Sequence, residues 1–289
     1  MSDDPFVTHG SLLFTVAYEM LGSAADAEDV VQETWLRWAA DDRSDVRDPR
    51  AYLVRIVTRQ ALNRLRTMAR RREQYVGEWL PEPLLTSPDV AEDVEFAESV
   101  SIAMLTVLET LAPSERAVFV LREVFDLPYA DIAAAVGKSP AAVRQIAHRA
   151  REHVAARRPR VAVDRAEQER VLDRFLVAVR TGDLDGLLDV LDADVVAVAD
   201  GGGEVPAIQR PVVGRERVAA LLSRLATVVP DAVLGTFWVN GAPAARIDLD
   251  GALNTAISVV VADGRITRIY AMRNPHKLAR LEEEAVLSR

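Results

Sequence analysis

Residues 76–99 hold seven carboxylates, three prolines and no lysine or arginine. Such a stretch cannot carry one amphipathic helix through from end to end. Proline removes a backbone donor and clashes with the preceding turn, and like charges on one helix face repel. It therefore divides the chain, and the elements on either side must be read separately. The net charge of −9 follows this division. Residues 1–75 sum to −1, 76–99 to −7, 100–163 to +3 and 164–289 to −4. The bulk acidity argues against a nucleic-acid partner, but two segments around the acidic one could face phosphate. A length of 289 residues, 49% of them hydrophobic, suits two or three domains, each with its own core. With no cysteine and four histidines, disulfides are excluded and neither a metal site nor a cofactor is expected. No segment reads as a signal peptide or a membrane span, so a cytoplasmic protein without a membrane partner is expected.

The part before the divider, residues 1–75, reads as helical. Ser11–Met20 spaces Leu12, Leu13, Val16 and Ala17 for one face, and Gly22 ends it. Ser23 offers an N-cap, with Asp26 three residues on in the manner of a capping box. The following helix, Ala24–Trp38, sets Ala27, Val30, Val31, Thr34 and Trp38 on one stripe and Asp26, Glu28, Asp29, Gln32 and Glu33 on the other face. After a polar loop at Asp41–Pro49, a long helix spans Arg50–Arg72, and from Pro49 to Arg72 there is no acid. Its arginines Arg55, Arg59, Arg64, Arg66, Arg70, Arg71 and Arg72 suit phosphate, since the guanidinium fork donates two parallel hydrogen bonds. They suit equally well a salt-bridged partner for the acidic helix.

Beyond the divider, residues 100–160 predict helices at Val100–Leu111, Ser114–Phe125 and Tyr129–Val136, a turn at Gly137, and a last helix from Ser139. Ser139 is placed to cap that helix, with Pro140 at its first position. This is the pattern of a helix-turn-helix, whose second helix enters the major groove. Val143, Ala147 and Ala150 can face the core. Pro140, Ala141, Arg144, Gln145, His148 and Arg149 can face outward, and Arg and Gln pair well with guanine and adenine.

A basic stretch at Arg157, Arg158, Pro159 and Arg160 precedes a change of character. Residues 161–289 predict helices at Ala166–Arg180, Leu184–Leu191 and Arg215–Val229. Strands are expected at Val195–Ala199, Ala232–Asn240, Ala244–Asp250, Thr255–Ala262 and Arg265–Arg273, with turn signals at Asn240-Gly241 and Asp263-Gly264. Helices followed by a curved antiparallel sheet describe an α+β cone.

DAEDVVQETWLRW (26–38) followed by DPRAYLVRIVTRQALNRLR (48–66) resembles region 2 of the extracytoplasmic-function sigma factors. Residues 111–151 resemble their region 4. WLPEP (79–83), DGGG (200–203) and NPHKL (274–278) are similar to motifs of the subgroup with a SnoaL-like, that is NTF2-like, C-terminal extension. The resemblance implies a multidomain, non-enzymatic initiation factor: two all-α domains, then the cone. It implies that Asp29, Gln32 and Glu33 meet the β′ clamp of core RNA polymerase, with a further contact to the β flap. The loop Asp41–Asp48 with Tyr52, Arg55, Arg59, Asn63 and Arg66 would take the −10 element of promoter DNA. The helix from Ser139, through Pro140, Ala141, Arg144, Gln145, His148 and Arg149, would take the −35 element. The acidic stretch would run along the path of nascent RNA, with Glu92, Asp93, Glu95 and Glu98 imitating a polyanion. The family often has Asp at 63, Asn at 60 and a basic residue at 146. It usually has Lys after DGGG, where this chain has Glu204, and Asp where it has His276.

For the C-terminal domain the resemblance implies a regulatory module. Trp79, Leu80 and Pro81 would meet Asp200, Gly201, Gly202, Gly203, Asn274 and Pro275, holding the two DNA-binding parts at a spacing unsuited to the promoter. An unidentified small molecule in the cone is a further expectation. Relatives of the cone use a buried carboxylate as general base, and Asp200, Glu204 and His276 are the candidates for it here, but no electrophilic partner is evident. The alternative reading is a one-component helix-turn-helix regulator whose cone senses a small molecule. It needs neither the basic helix nor the acidic one.

Overall fold

The computed structural model describes residues 4–40, 46–72, 74–158 and 164–289, without the side chains of 69–72. Positions 41–45 of the expected −10 loop, Arg160, and the side chains of Arg70, Arg71 and Arg72 therefore lie outside the described residues.

The N-terminal unit is α1 (Pro5–Thr8), α2 (Gly10–Leu21), α3 (Ala24–Ala40) and α4 (Pro49–Arg72). Helix α2 is its axis: Leu13, Val16, Ala17, Tyr18, Met20 and Leu21 are all fully buried. Burying one such side chain contributes about 1.5–3 kcal/mol, so a helix buried on nearly all sides organises its neighbours. Ala27, Val30, Thr34 and Trp38 of α3 and Leu53, Val57, Ala61 and Leu65 of α4 close on it. Gly22 ends α2 in the left-handed region, and its N–H returns to Tyr18 O at 2.7 Å. The capping box expected at Ser23 is half formed. Asp26 N–H reaches Ser23 Oγ at 3.2 Å, but the Asp26 side chain turns to Arg64. The next orphan donors, Ala24 N–H and Ala25 N–H, find Glu82 Oε2 at 2.9 and 3.3 Å instead.

The divider splits in two. Residues 80–84 are extended and buried throughout. A 3-10 turn at Pro88–Glu92 then leads into α5 (Val94–Val100), so the acidic stretch is helical earlier than its composition suggests. Asp93 caps α5 through Phe96 N–H, and Ser101 breaks it from α6 (Ile102–Leu108) by capping the new helix through Met104 N–H. Helix α7 (Pro113–Phe119) widens into a π turn at Val120–Val124, then come α8 (Tyr129–Val136) and α9 (Pro140–Arg157). Ser139 Oγ accepts from Ala142 N–H at 3.2 Å, and Val143, Ile146, Ala147, Ala150 and Val154 form the buried side of α9.

The C-terminal unit runs α10 (Arg165–Thr181), α11 (Leu184–Val190), β1 (Leu191–Asp200), β2 (Val212–Val213), α12 (Arg215–Ser223), α13 (Leu225–Val228), β3 (Val233–Val239), β4 (Ala242–Leu249), β5 (Ala252–Ala262), β6 (Arg265–Met272) and α14 (Pro275–Leu278). The sheet order is β2-β1-β6-β5-β4-β3. It is not wholly antiparallel as expected: β1 pairs parallel with β6. Three hairpins fix the alternating directions of β3 to β6, and the long return through α12 and α13 allows β1 to enter parallel. All three hairpin turns are X-Gly pairs with positive φ at both residues, the Asp250-Gly251 turn having escaped the sequence reading. One sheet face packs Leu172, Phe175, Val195, Ile257, Ile266 and Ile269 into a filled cone interior. A cavity of only about 60 Å³ lies among Val179, Leu225, Val229 and Leu234, far below metabolite size. The other face lays Val239, Ala256, Val260, Tyr270 and Met272 against Leu80, Ile102, Leu278 and Leu281. Among the described residues no helix is long and apolar enough to cross a membrane.

Candidate functional site: an interdomain clasp and two basic helices

Asp200 ends β1 with its side chain fully buried. A buried carboxylate must be paired and hydrogen-bonded, and this one uses both oxygens. Oδ1 accepts from Tyr75 OH at 2.5 Å and Gly202 N–H at 3.0 Å. Oδ2 accepts from Leu80 N–H at 2.9 Å and Lys277 Nζ at 2.7 Å. Lys277 also donates to Leu80 O at 2.5 Å and sits over the Trp79 ring at 3.3 Å. Asn274 caps α14 through His276 N–H and donates to Tyr75 OH at 2.9 Å. Burial first, then the Asp200 carboxylate, holds the Tyr75 hydroxyl proton on well above its ordinary range. The structure thus brings Trp79, Leu80, Asp200, Gly202 and Asn274 together. Pro81 is buried beside them, while Pro275 is exposed at the start of α14.

The glycines make this approach possible. A Cβ at Gly202 (φ +66) would lie 2.4 Å from Asn274 Nδ2, and one at Gly203 (φ +77) 3.0 Å from Val76 Cβ. A Cβ at Gly201 would meet Val205 O at 2.5 Å. Next to them Glu204 Oε1 lies 2.7 Å from His276 Nε2. Acid and base have changed places relative to the family pattern, yet opposite partners still face each other. Both are exposed, so the pair contributes at most about 1 kcal/mol, and only with His276 protonated. Asp200, with every contact committed to the clasp, is not arranged as a general base.

Two further joints were not foreseen. Glu82 in the extended strap caps α3, as described, and Tyr18 OH donates to Glu82 O at 2.7 Å. Arg280 from the C-terminal tail pairs with Glu28 of α3 and lies 3.6 Å from Glu82. The β3–β4 turn residue Asn240 inserts between α2, the strap and α5. It accepts from Leu84 N–H at 2.8 Å and donates to Tyr18 OH and Val100 O, both at 2.7 Å. A single sequence signal could have flagged Lys277: of 35 basic residues only two are lysine. A compact ammonium fits a pocket of two oxygens and two rings, Tyr75 and Trp79, that a planar guanidinium does not. Nothing local marks Tyr75, Glu82 or Asn240 in this role.

The helices assigned to DNA differ in state. On α9, Ser139, Pro140, Ala141, Arg144, Gln145, His148 and Arg149 are all exposed. On α4, Asn63 and Arg66 are exposed and bonded to each other at 3.3 Å, and Arg55 stacks over the half-buried Tyr52 at 5.0 Å. Arg59 Nη2 donates to Ala134 O at 2.9 Å, meeting the carbonyl end of α8 in the region 4 part. Arg64 holds Asp26, Asp29 and Glu33 at 3.0, 3.3 and 3.1 Å, and Gln60 donates to Glu33 at 2.9 Å. Gln32 is exposed and makes no side-chain hydrogen bond among the described residues. In the acidic stretch Asp93 pairs with Arg289 at 2.6 Å and Glu98 pairs with Arg158.

Deeper between α2, α5 and α7 sits Glu19, fully buried. Burial pushes its carboxyl up to about 8, although Ser99 and Arg116 lower it. Ser99 Oγ is 2.9 Å from Glu19 Oε1 and 2.8 Å from Phe96 O. A hydroxyl has one hydrogen, so a protonated Glu19 that donates to Ser99 satisfies both contacts. The Arg116 charge is already met by Glu109 at 2.6 Å.

The family models match this layout. Sigma-70 region 2 matches residues 6–72 and Sigma-70 region 4 matches residues 101–154. The ECF RNA polymerase sigma factor SigJ of Mycobacterium tuberculosis is 38% identical over 92% of this chain and 89% of its own length. The probable ECF RNA polymerase sigma factor SigI of the same species is 34% identical over 96% and 94%. The crystal structure of SigJ superposes with a TM-score of 0.76 at 35% identity, covering 94% of this chain and 96% of the other, the α+β unit included. Region 2, region 4 and the α+β extension thus recur in one order along nearly the whole chain, which belongs to the extracytoplasmic-function family of RNA polymerase sigma factors.

Proposed function

We propose that the free chain is a self-restrained sigma factor. Core RNA polymerase is met through Asp29, Gln32 and Glu33 against the β′ clamp and through region 4 against the β flap. The −10 element is held by Tyr52, Arg55, Arg59, Asn63 and Arg66. The −35 element is read by α9 through Arg144, Gln145 and His148, with Ser139, Pro140, Ala141 and Arg149 at its edge and backbone. The C-terminal domain fixes the strap between the two regions, so region 2 and region 4 separate only when the strap is released.

The observation that carries this reading is the Asp200–Lys277 clasp on Trp79 and Leu80, a buried interaction tying the cone to the strap. The Arg59 contact to α8 supports it, because a proposed −10 residue is committed within the free chain. A one-component regulator is disfavoured, since it has no use for the region 2 match. The test is run-off transcription with purified core polymerase, comparing the full chain with one ending at Arg158. Scattering from the free protein accompanies it. A compact free form and altered core affinity or start-site use on truncation are expected. Freely tumbling domains, or identical behaviour of the two chains, would overturn the restraint.

A further inference from the structure

We propose that the crevice where α5, α6, the end of α9, the start of α10 and strands β3 to β5 meet binds an uncharged, mainly apolar small molecule bearing a hydroxyl or carbonyl group. It encloses about 440 Å³. That lies within the roughly 300–1,000 Å³ usual for small-molecule sites, which favour domain boundaries.

The walls are aliphatic, with Ala97, Met104, Ala242, Pro243 and Val260 among them. Three neutral polar side chains break this surface: Ser101, already spent on capping α6, Ser258 and Gln168. Ser258 lines the crevice at 8% exposure, and Gln168 lines it from α10. Neither side chain has a hydrogen-bond partner among the described residues. Polar groups in apolar surroundings favour partners, and a ligand hydroxyl or carbonyl can supply one to the Ser258 hydroxyl or to the Gln168 amide.

The rim charges decide the ligand's charge. Arg158 is paired with Glu98. Arg165 is paired with Glu169 at 3.3 Å and lies over the Trp238 ring at 4.4 Å. Asp164 sits at the N-terminal end of α10, where the helix dipole already favours a carboxylate. An anion entering here would have to displace Glu98 or Glu169 from its arginine, whereas a neutral molecule would not.

Helix α5, region 4 and the cone each supply a wall, so an occupant binds only their assembled arrangement and stabilises it by mass action. That regulatory consequence rests on the self-restrained reading, but the binding does not. The test titrates the full chain with Nile red, a neutral dye with a carbonyl and an apolar body, and separately with the anionic dye 8-anilinonaphthalene-1-sulfonate. Saturable one-to-one binding of Nile red is expected, with a raised Tm and affinity about tenfold or more above that of the anionic dye. Ala242→Trp, which fills the crevice, and Gln168→Ala, which removes a polar partner from a helix surface, should each weaken Nile red about tenfold. If Ala242→Trp fails to fold, Gln168→Ala decides. Absence of saturable binding, or parental affinity in Gln168→Ala, overturns the site. Equal or tighter binding of the anionic dye overturns the neutral class. Neither result touches run-off transcription, which tests the sigma-factor reading independently.

Discussion

Helices α4 and α9 are both basic, α4 with eight arginines and no acid, α9 with four arginines and one acid, and they sit in opposite conditions. On α9 the proposed base-reading residues point into solvent, with only the exposed His148 to Glu152 contact at 3.3 Å and Arg144 5.9 Å from the Tyr129 ring. On α4 the arginines are engaged: Arg59 on the end of α8, Arg64 on three acids of α3, Arg55 on Tyr52. The difference separates composition from availability. Two basic helices are not equally exposed: on α4 the acids of α3 and the carbonyl end of α8 occupy the arginines, whereas on α9 the side chains stand open.

The strongest way to break the comparison is to open the clasp. Lys277→Met leaves Asp200 buried and unpaired, which should cost about 3–5 kcal/mol by denaturant unfolding. Lys277→Arg should not restore the parent, because the fork cannot reproduce the contacts to Leu80 O and the Trp79 face. If α4 is held by the clasp, Lys277→Met should increase binding to −10 single-stranded DNA and leave −35 duplex binding unchanged. Equal changes in both would end the distinction. Asn240→Ala removes the partners of Leu84 N–H and Val100 O and should cost about 1–3 kcal/mol in the same assay.

Next come the helices themselves. Arg144→Ala or Gln145→Ala should lower discrimination at one −35 base by about 1–3 kcal/mol, read by duplex binding at fixed salt. Stability should move within about 0.5 kcal/mol, because these side chains are exposed. Arg59→Ala should do the reverse in the free chain, with a stability loss of about 1 kcal/mol from the uncapped α8 carbonyls. A silent Arg59→Ala would show α4 to be as free as α9.

The last effect is with pH and leaves both helices untouched. Glu19 in the folded chain keeps its proton up to about 8, whereas in the unfolded chain it titrates near the ordinary value of 4.5. Between these values the folded state binds more protons, so stability falls as pH rises, by at most about 1.4 kcal/mol per pH unit from this group. Glu19→Gln should remove that slope. An unchanged slope would place the titration elsewhere.

Much of this molecule is legible locally. The apolar spacing of α2 to α4, Ser139-Pro140 at the start of α9 and two of the three X-Gly turns are short-range signals, set by helical period, cap chemistry and the positive φ of glycine. The candidate site was legible in pieces. WLPEP, DGGG and NPHKL could be named, but the ion at their meeting point could not, because no local rule says which of two lysines goes inside. The acidic stretch misled in part, since Asp93 acts as a helix cap there and composition hides that.

By itself the sequence determined the element order, the helix-turn-helix, the cone and the family, because each rests on patterns closed within a few turns of chain. Only the tertiary structure decided that β1 enters parallel, that Glu82 caps α3, that Asn240 joins three segments and that Asp200 is spent on a clasp. Those outcomes concern buried polar groups whose partners lie far along the chain. Such groups must be satisfied once water is excluded, and which partner satisfies them is fixed by packing rather than by neighbours in sequence.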